Sequence, residues 1–223
     1  MKKRWLSLVL AAVMLTGLLT GCGSTKKIVA SETYEVEENP SVTVDGTWIV
    51  PGKDREITFH ADGTYTSTIS DTMNGSYSYY KNIDGFELAD SFKELEYVVL
   101  SDSDGKEQIF GAVLGDILVG YWNKDSCYYF REDREILPEE KFLGSWTDAF
   151  GGKYTMVLHD DGTGKIGDKD DLEACTFQYD TQTGYLTVTQ DGKDKQYAVG
   201  MHEGYLFLMQ VGNYYTMYMF QPA

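Results

Sequence analysis

The sequence predicts an all-β protein with two tandem small antiparallel β-barrel or meander units, preceded by a signal peptide and a short tether. A basic segment followed by an apolar segment at the start of the chain indicates the signal peptide. Two later stretches repeat the same landmark residues at a nearly constant offset. Within both stretches, runs of alternating apolar and polar residues are separated by Asp-Gly and Asn-Gly pairs, a pattern typical of strands joined by tight turns.

Residues 1–21 have the organisation of a secretory signal peptide. Basic residues at positions 2–4 precede an apolar stretch over 6–19, which falls short of the roughly 18 apolar residues of a membrane-spanning helix. Residues 19–22, Leu-Thr-Gly-Cys, resemble the lipobox of bacterial lipoproteins. This resemblance implies that Cys22 becomes the lipidated first residue of the mature protein. The mature protein is then expected to be extracytoplasmic and anchored to the bacterial cell membrane by its N-terminal lipid.

The mature chain that begins at Cys22 is strongly acidic. The signal peptide removes three basic residues and no acidic ones, which leaves 16 Lys and Arg against 35 Asp and Glu. Such a charge argues against nucleic acid as a partner, because phosphates need basic side chains. We interpret residues 22–44, which are acidic and poor in apolar groups, as an extended lipidated tether.

The remainder of the chain contains an internal repeat. Three pairs of short motifs recur at offsets of 98 or 99 residues: Gly46-Thr47-Trp48 with Gly144-Ser145-Trp146, Asp62-Gly63-Thr64 with Asp161-Gly162-Thr163, and Gly85-Phe86 with Gly184-Tyr185. The repeat predicts one β unit over residues 45–134 and a second over 143–223. Residues 135–142 form the joint, where Pro138 followed by two glutamates predicts a short helix.

Each unit is expected to contain about eight short strands. Tyr154, Met156 and Leu158 alternate with polar or smaller residues, as one face of a half-buried strand does. Candidate hairpin turns occur at Asp62-Gly63, Asn74-Gly75, Asp84-Gly85, Asp104-Gly105, Asp161-Gly162 and Asp191-Gly192. A helix of one or two turns is expected over residues 91–96.

The motif Gly-x-Trp, followed by an apolar strand, Asp-Gly-Thr and many short strands, resembles the lipocalin-like (calycin-type) domains of bacterial lipoproteins. The resemblance implies structural roles for Gly46, Trp48, Gly144 and Trp146, with each tryptophan closing the floor of a barrel. It also implies that Arg131 in the last strand covers the indole of Trp48. In the second unit Gln221 occupies the place that matches Arg131.

The barrel interiors have two interpretations. Eight strands make a barrel just wide enough to be filled by side chains or to hold one small ligand. The many large apolar residues of both units favour filled interiors. In the other arrangement, both units contribute strands to one larger barrel with a real pocket.

The remaining chemistry-bearing residues do not form a recognised catalytic pattern. Cys127 and Cys175 are candidates for a disulfide, since the compartment is oxidising, and buried free thiols are the alternative. His60 and His159 are expected on the outer faces, and the acidic clusters are expected to be solvated turns. No metal site or cofactor is predicted.

These observations lead to one function with two alternatives. We expect a non-catalytic, membrane-anchored lipoprotein that binds a small apolar molecule or an envelope component. A protein–protein interaction scaffold of the cell envelope is the first alternative. A hydrolase acting on envelope carbohydrate or peptide is the second, although the sequence lacks the serine-hydrolase and zinc-protease motifs.

Overall fold

The computed structural model describes residues 15–16, 27–28, 43–68, 73–81, 96–103, 107–122, 125–213 and 216–223. Most of the expected signal peptide and tether, with Cys22, lies outside these residues, as do residues 91–95 of the helix expected over 91–96. Strand β1 (Leu15–Thr16) pairs antiparallel with strand β2 (Lys27–Ile28). Among the described residues, no helix has the length and apolar character needed to cross a bilayer.

The first unit is a closed antiparallel barrel of eight strands. Strand β10 pairs with β3 and so completes the ring, with Arg131 opposite Trp48 and Phe130 opposite Ile49. In chain order the strands are β3 (Gly46–Ile49), β4 (Glu56–Phe59), β5 (Thr64–Ser67), β6 (Met73–Lys81), β7 (Glu96–Asp102), β8 (Glu107–Leu114), β9 (Ile117–Trp122) and β10 (Asp125–Arg131).

The second unit is also a closed antiparallel barrel of eight strands. Strand β11 pairs with both β12 and β18, so that Trp146 lies between Met156 and Pro222. The strands are β11 (Gly144–Asp148), β12 (Tyr154–Leu158), β13 (Thr163–Asp168), β14 (Asp171–Asp180), β15 (Tyr185–Gln190), β16 (Lys193–His202), β17 (Tyr205–Gln210) and β18 (Met217–Pro222). A 3₁₀ helix over Glu139–Lys141, preceded by Pro138, lies in the expected joint.

The all-β prediction and its count of about eight strands per unit are therefore confirmed, in an architecture compatible with lipocalin-like folds. The alternative of one larger barrel is wrong, because each unit closes on its own strands. Side chains that alternate between the two faces of a strand explain the core of the second barrel. Met156 and Leu158 of β12 are buried together with Tyr197 and Val199 of β16. Its interior is packed with side chains, as the filled interpretation expected.

The two Asp-Gly-Thr turns have the same hydrogen bonds. The amide and hydroxyl of Thr64 both donate to Oδ1 of Asp62, at 3.0 and 2.6 Å. In the second barrel the same two groups of Thr163 donate to Asp161, at 2.9 and 2.6 Å. These bonds hold the pKa of each aspartate below its ordinary value. The repeat read from the sequence is thus a repeat of local geometry.

The expected turn at Asn74-Gly75 is wrong, because both residues lie within β6. Gly75 pairs with Tyr65 on one side and with Asp102 on the other. A Cβ at this position would collide with the carbonyl oxygen of Ser101. The glycine is therefore required for close strand approach rather than for turning the chain.

The segment that enters each barrel is held by a tyrosine of the barrel's fourth strand. In the first barrel the amide of the buried Val44 donates to the hydroxyl of Tyr79 at 2.7 Å. In the second, the hydroxyl of Tyr179 donates to the carbonyl of Leu137, also at 2.7 Å. Phe142, two residues before Gly144 as Val44 is two before Gly46, is fully buried. Each barrel is thus closed at the end where its chain enters.

Both Gly-x-Trp tryptophans are buried in these closed ends. The guanidinium of Arg131 lies 4.5 Å from the ring centre of Trp48, and its Nε donates to Oδ1 of Asp116 at 3.2 Å. The indole N–H of Trp146 donates to the carbonyl of Phe142 at 2.8 Å. Gly46 and Gly144 have φ values of 115° and 118°, which favour glycine.

Candidate functional site: the open end of the second barrel

The second barrel has one closed end and one open end. Successive connections of an up-and-down antiparallel barrel alternate between its ends. The 3₁₀ helix therefore shares an end with the β12–β13, β14–β15 and β16–β17 connections. The opposite end carries the β11–β12, β13–β14, β15–β16 and β17–β18 connections.

A cavity of about 200 Å³ lies at the open end. Its lining mixes aromatic, aliphatic and charged side chains: Tyr154, Ile166, Glu173, Val188, Gln190, Asp191, Lys193, Lys195 and Tyr197. The buried Ile166 and Val188 belong to the packed core beneath it. The cavity is therefore the place where the filled interior gives way to polar side chains that alternate onto the same inner face.

Two tyrosines, Tyr154 and Tyr197, line the cavity, and a third, Tyr218, packs against both of them. The rings of Tyr154 and Tyr218 are stacked, with centres 6.1 Å apart and planes inclined by 16°. Tyr197 meets Tyr218 edge to face at 6.0 Å. Burial raises the pKa of Tyr154 and of Tyr197, so both phenols are neutral donors at ordinary pH. The hydroxyls of these three residues make no hydrogen bond to any described residue, which leaves them available to a bound molecule or to water.

One wall of the cavity contains a joined carboxylate and amide. Nε2 of Gln190 on β15 donates to Oε2 of Glu173 on β14, at 2.5 Å. This bond crosses two neighbouring strands and orients the carboxylate. The second oxygen of Glu173 and the side-chain oxygen of Gln190 remain as acceptors.

The β15–β16 hairpin supplies a further part of the lining. Asp191 and Gly192 have φ values of 51° and 68°, the two positive values of a tight I′-type turn. The hydroxyl of Thr189 donates to Asp194 at 2.7 Å and braces the hairpin. Lys193 and Lys195 are two residues apart on one face, and both are exposed. Neither ammonium pairs with an acid among the described residues, so both are available as donors.

The site thus offers donors and acceptors around aromatic rings within a small volume. Lysine ammoniums and phenols donate, whereas Glu173 and Gln190 accept. At about 200 Å³ the cavity is smaller than the 300–1,000 Å³ of typical drug-sized pockets. The arrangement suits one small polar molecule and not a long hydrocarbon chain.

Most of the residues singled out from the sequence lie elsewhere. Trp48 with Arg131 and Trp146 belong to the closed ends, and Gly46 and Gly144 begin the strands that carry the tryptophans. They hold the barrels closed and do not line the cavity.

The two cysteines are free, buried thiols, so the structure contains no Cys127–Cys175 disulfide. Each lies within a strand of a different barrel, Cys127 in β10 and Cys175 in β14. Burial raises the pKa of Cys175, which keeps its thiol protonated and unreactive. The buried-thiol alternative is the one the structure shows.

The histidines occupy turn positions. Nε2 of His60 lies 3.3 Å from the hydroxyl of Thr66, and His159 is exposed before its Asp-Gly turn. His202 ends β16, and burial lowers its pKa. In the part of the chain that the structure describes, no group of three or more His, Cys, Asp or Glu is placed to hold a metal ion.

The sequence interpretation did not identify the cavity. Its signal was present in β16, where the inward alternation of Val199 and Tyr197 continues to Lys195 and Lys193. Charged residues at inward positions of a strand mark the place where a packed barrel opens to solvent.

Comparison with protein-family models, with curated proteins and with solved structures finds no match to this chain. The architecture and the residues of the site are therefore the basis for the functional argument.

Proposed function

We propose that the chain is a non-catalytic binding protein, an extracytoplasmic lipocalin-like lipoprotein anchored to the bacterial cell membrane through Cys22. We further propose that the open end of its second barrel is the binding site. The observation that carries the proposal is the cavity between Tyr154, Glu173 and Lys195, in a barrel that is otherwise filled. Polar side chains at the end of a packed core suit recognition of a small molecule.

The exposed aromatic groups support the same location. Phe150 is 47% exposed and Tyr218 is 37% exposed, and these are the large apolar side chains that the described residues leave in solvent. Phe150 lies in the β11–β12 connection and Tyr218 in β18 next to the β17–β18 connection, both at the open end. Two exposed aromatic side chains at the end that carries the cavity support an interaction site there.

The polarity of the cavity favours a polar envelope component as the ligand over the small apolar molecule that was the other expectation from the sequence. An alkyl ligand would cover the ammonium of Lys195 and the second carboxylate oxygen of Glu173 without offering either a hydrogen bond, which is unfavourable. A polar envelope component would satisfy them. The proposal is therefore a polar ligand rather than an apolar one.

Anchoring is tested by labelling cells that express the chain with radioactive palmitate. Cys22→Ser should abolish incorporation of label and release the protein from the membrane fraction. Cys127→Ser is the matched control, because its thiol is buried within β10 and it should be labelled like the natural chain. Equal labelling of the natural chain and Cys22→Ser would refute the anchor.

Binding is tested by a thermal-shift screen of small polar metabolites against the full chain. A molecule that occupies the cavity at 100 times its Kd stabilises the folded state by about 2.7 kcal/mol. Tyr197→Phe removes a hydroxyl at the open end and should reduce the shift. Tyr179→Phe removes a hydroxyl at the closed end and should leave the shift unchanged. If the thermal shift caused by a ligand is unchanged in Tyr197→Phe but lost in Tyr179→Phe, the assignment of the binding site to the open end is refuted.

A further inference from the structure

We propose that the ligand of the open end is a neutral carbohydrate, with one sugar ring seated in the cavity. This inference rests on the proposed binding function and adds the chemical class of the ligand. It is argued from three features of the cavity: its aromatic surface, its mixture of donors and acceptors, and its volume.

The aromatic surface matches the apolar face of a sugar ring. A pyranose presents C–H groups on its faces and hydroxyls around its edge. Tyr154 and Tyr218 are stacked within 16° of parallel, and Tyr154 lines the cavity. Ring faces carry partial negative charge and attract polarised C–H groups. The phenol hydroxyls at the ring edges then meet the edge of the sugar, where its own hydroxyls lie.

The polar groups match hydroxyls rather than a single charge. Each sugar hydroxyl both donates and accepts, so its binding site must supply both functions. Glu173 accepts, Lys193 and Lys195 donate, and Gln190 does both. The bond between Gln190 and Glu173 fixes the carboxylate in advance, which lowers the entropy lost on binding.

Other ligand classes fit less well. A phosphate or carboxylate would be attracted by Lys193 and Lys195 but repelled by Glu173 and Asp191, which line the same cavity. A cation would be attracted by Glu173 and Asp191 but repelled by Lys193 and Lys195. The volume of about 200 Å³ is below that of typical drug-sized pockets, so the cavity suits one sugar ring rather than a longer chain.

The test is an NMR titration of the isotope-labelled full chain with three probes in turn. These are N-acetyl-D-glucosamine as the neutral sugar, inorganic phosphate as the anion and octanoate as the apolar molecule. The sugar should shift the backbone amides of the β15–β16 hairpin, with a Kd on the order of 1 mM. Phosphate and octanoate should leave those amides in place.

Two matched variants refine the result. Glu173→Gln replaces a charged acceptor and should weaken sugar binding about tenfold. Glu203→Gln is the control, since Glu203 lies in the β16–β17 turn at the closed end and should bind as the natural chain does. Equal Kd values for the two variants would overturn the role of Glu173 and with it the inference.

The outcomes separate the inference from the proposed function. If phosphate or octanoate shifts the hairpin amides and the sugar does not, the carbohydrate class is overturned and the binding function stands. If no probe shifts them and the metabolite screen also finds no ligand, both are overturned. If the sugar shifts only residues of the closed end, the site assignment is overturned.

Discussion

Replacement of Phe142 by alanine should destabilise the second barrel strongly, because this ring closes the barrel floor. Phe142 is fully buried, and its ring meets Tyr179 edge to face with centres 4.7 Å apart. Removing a buried phenylalanine side chain loses its transfer free energy and leaves a cavity, which together cost about 3–5 kcal/mol. The edge-to-face contact between the two rings contributes about 0.5–1.5 kcal/mol of this loss of stability. The backbone carbonyl that accepts the indole N–H of Trp146 remains, so that hydrogen bond is not removed directly.

The assay is urea unfolding of the full chain, with amide hydrogen exchange of the β11 and β12 peptides as the readout of the second barrel. Phe150→Ala is the matched control, because it removes the same side chain from an exposed site. That control should change the free energy of unfolding by less than about 0.5 kcal/mol. Similar small effects for the two alanine variants would refute the account of the closed floor.

Three further predictions concern the strands, the first tryptophan and alkaline pH. Gly164→Ala places a Cβ 2.5 Å from a backbone oxygen and should lower the unfolding free energy by about 1–3 kcal/mol in a urea titration, whereas Gly151→Ala meets only ordinary contacts and should not. Arg131→Gln removes the cation over the indole of Trp48 and should cost about 1 kcal/mol, and an unchanged urea midpoint would contradict this. Burial raises the pKa of Tyr197, so its stabilising contribution is complete below the unfolded value of about 10 and is lost as pH rises above it. Tyr197→Phe should therefore lose less stability than the natural chain between pH 9 and 11 in thermal unfolding, and parallel curves would exclude this role.

Local patterns were sufficient to predict the fold because the repeat constrains both barrels together. Asp62-Gly63-Thr64 and Asp161-Gly162-Thr163 each encode their own hydrogen-bonded turn, which needs no distant contact. Strand alternation in β12 and β16 fixed which side chains enter the core. Asn74-Gly75 misled the turn assignment, because glycine serves close strand approach as well as turning, and only the neighbouring strand distinguishes the two.

The candidate site depended on contacts that sequence spacing does not give. Glu173, Gln190 and Lys195 lie on three successive strands and meet only through the register of β14, β15 and β16. The stacking of Tyr154 on Tyr218 joins the second and the last strands of the barrel, which lie far apart in the chain. The contact between Phe142 and Tyr179 at the closed end likewise joins residues that are far apart in the chain.

A crystal structure of the full chain grown with N-acetyl-D-glucosamine is the most direct test of the central claim, that the second barrel is closed at its tryptophan and binds ligand at its other end. The account predicts sugar density against Tyr154 and Glu173, with Phe142 and Trp146 packed in the floor. Density for the sugar beside Trp146 would contradict it. So would a barrel that is open at the tryptophan end and covered at the other end.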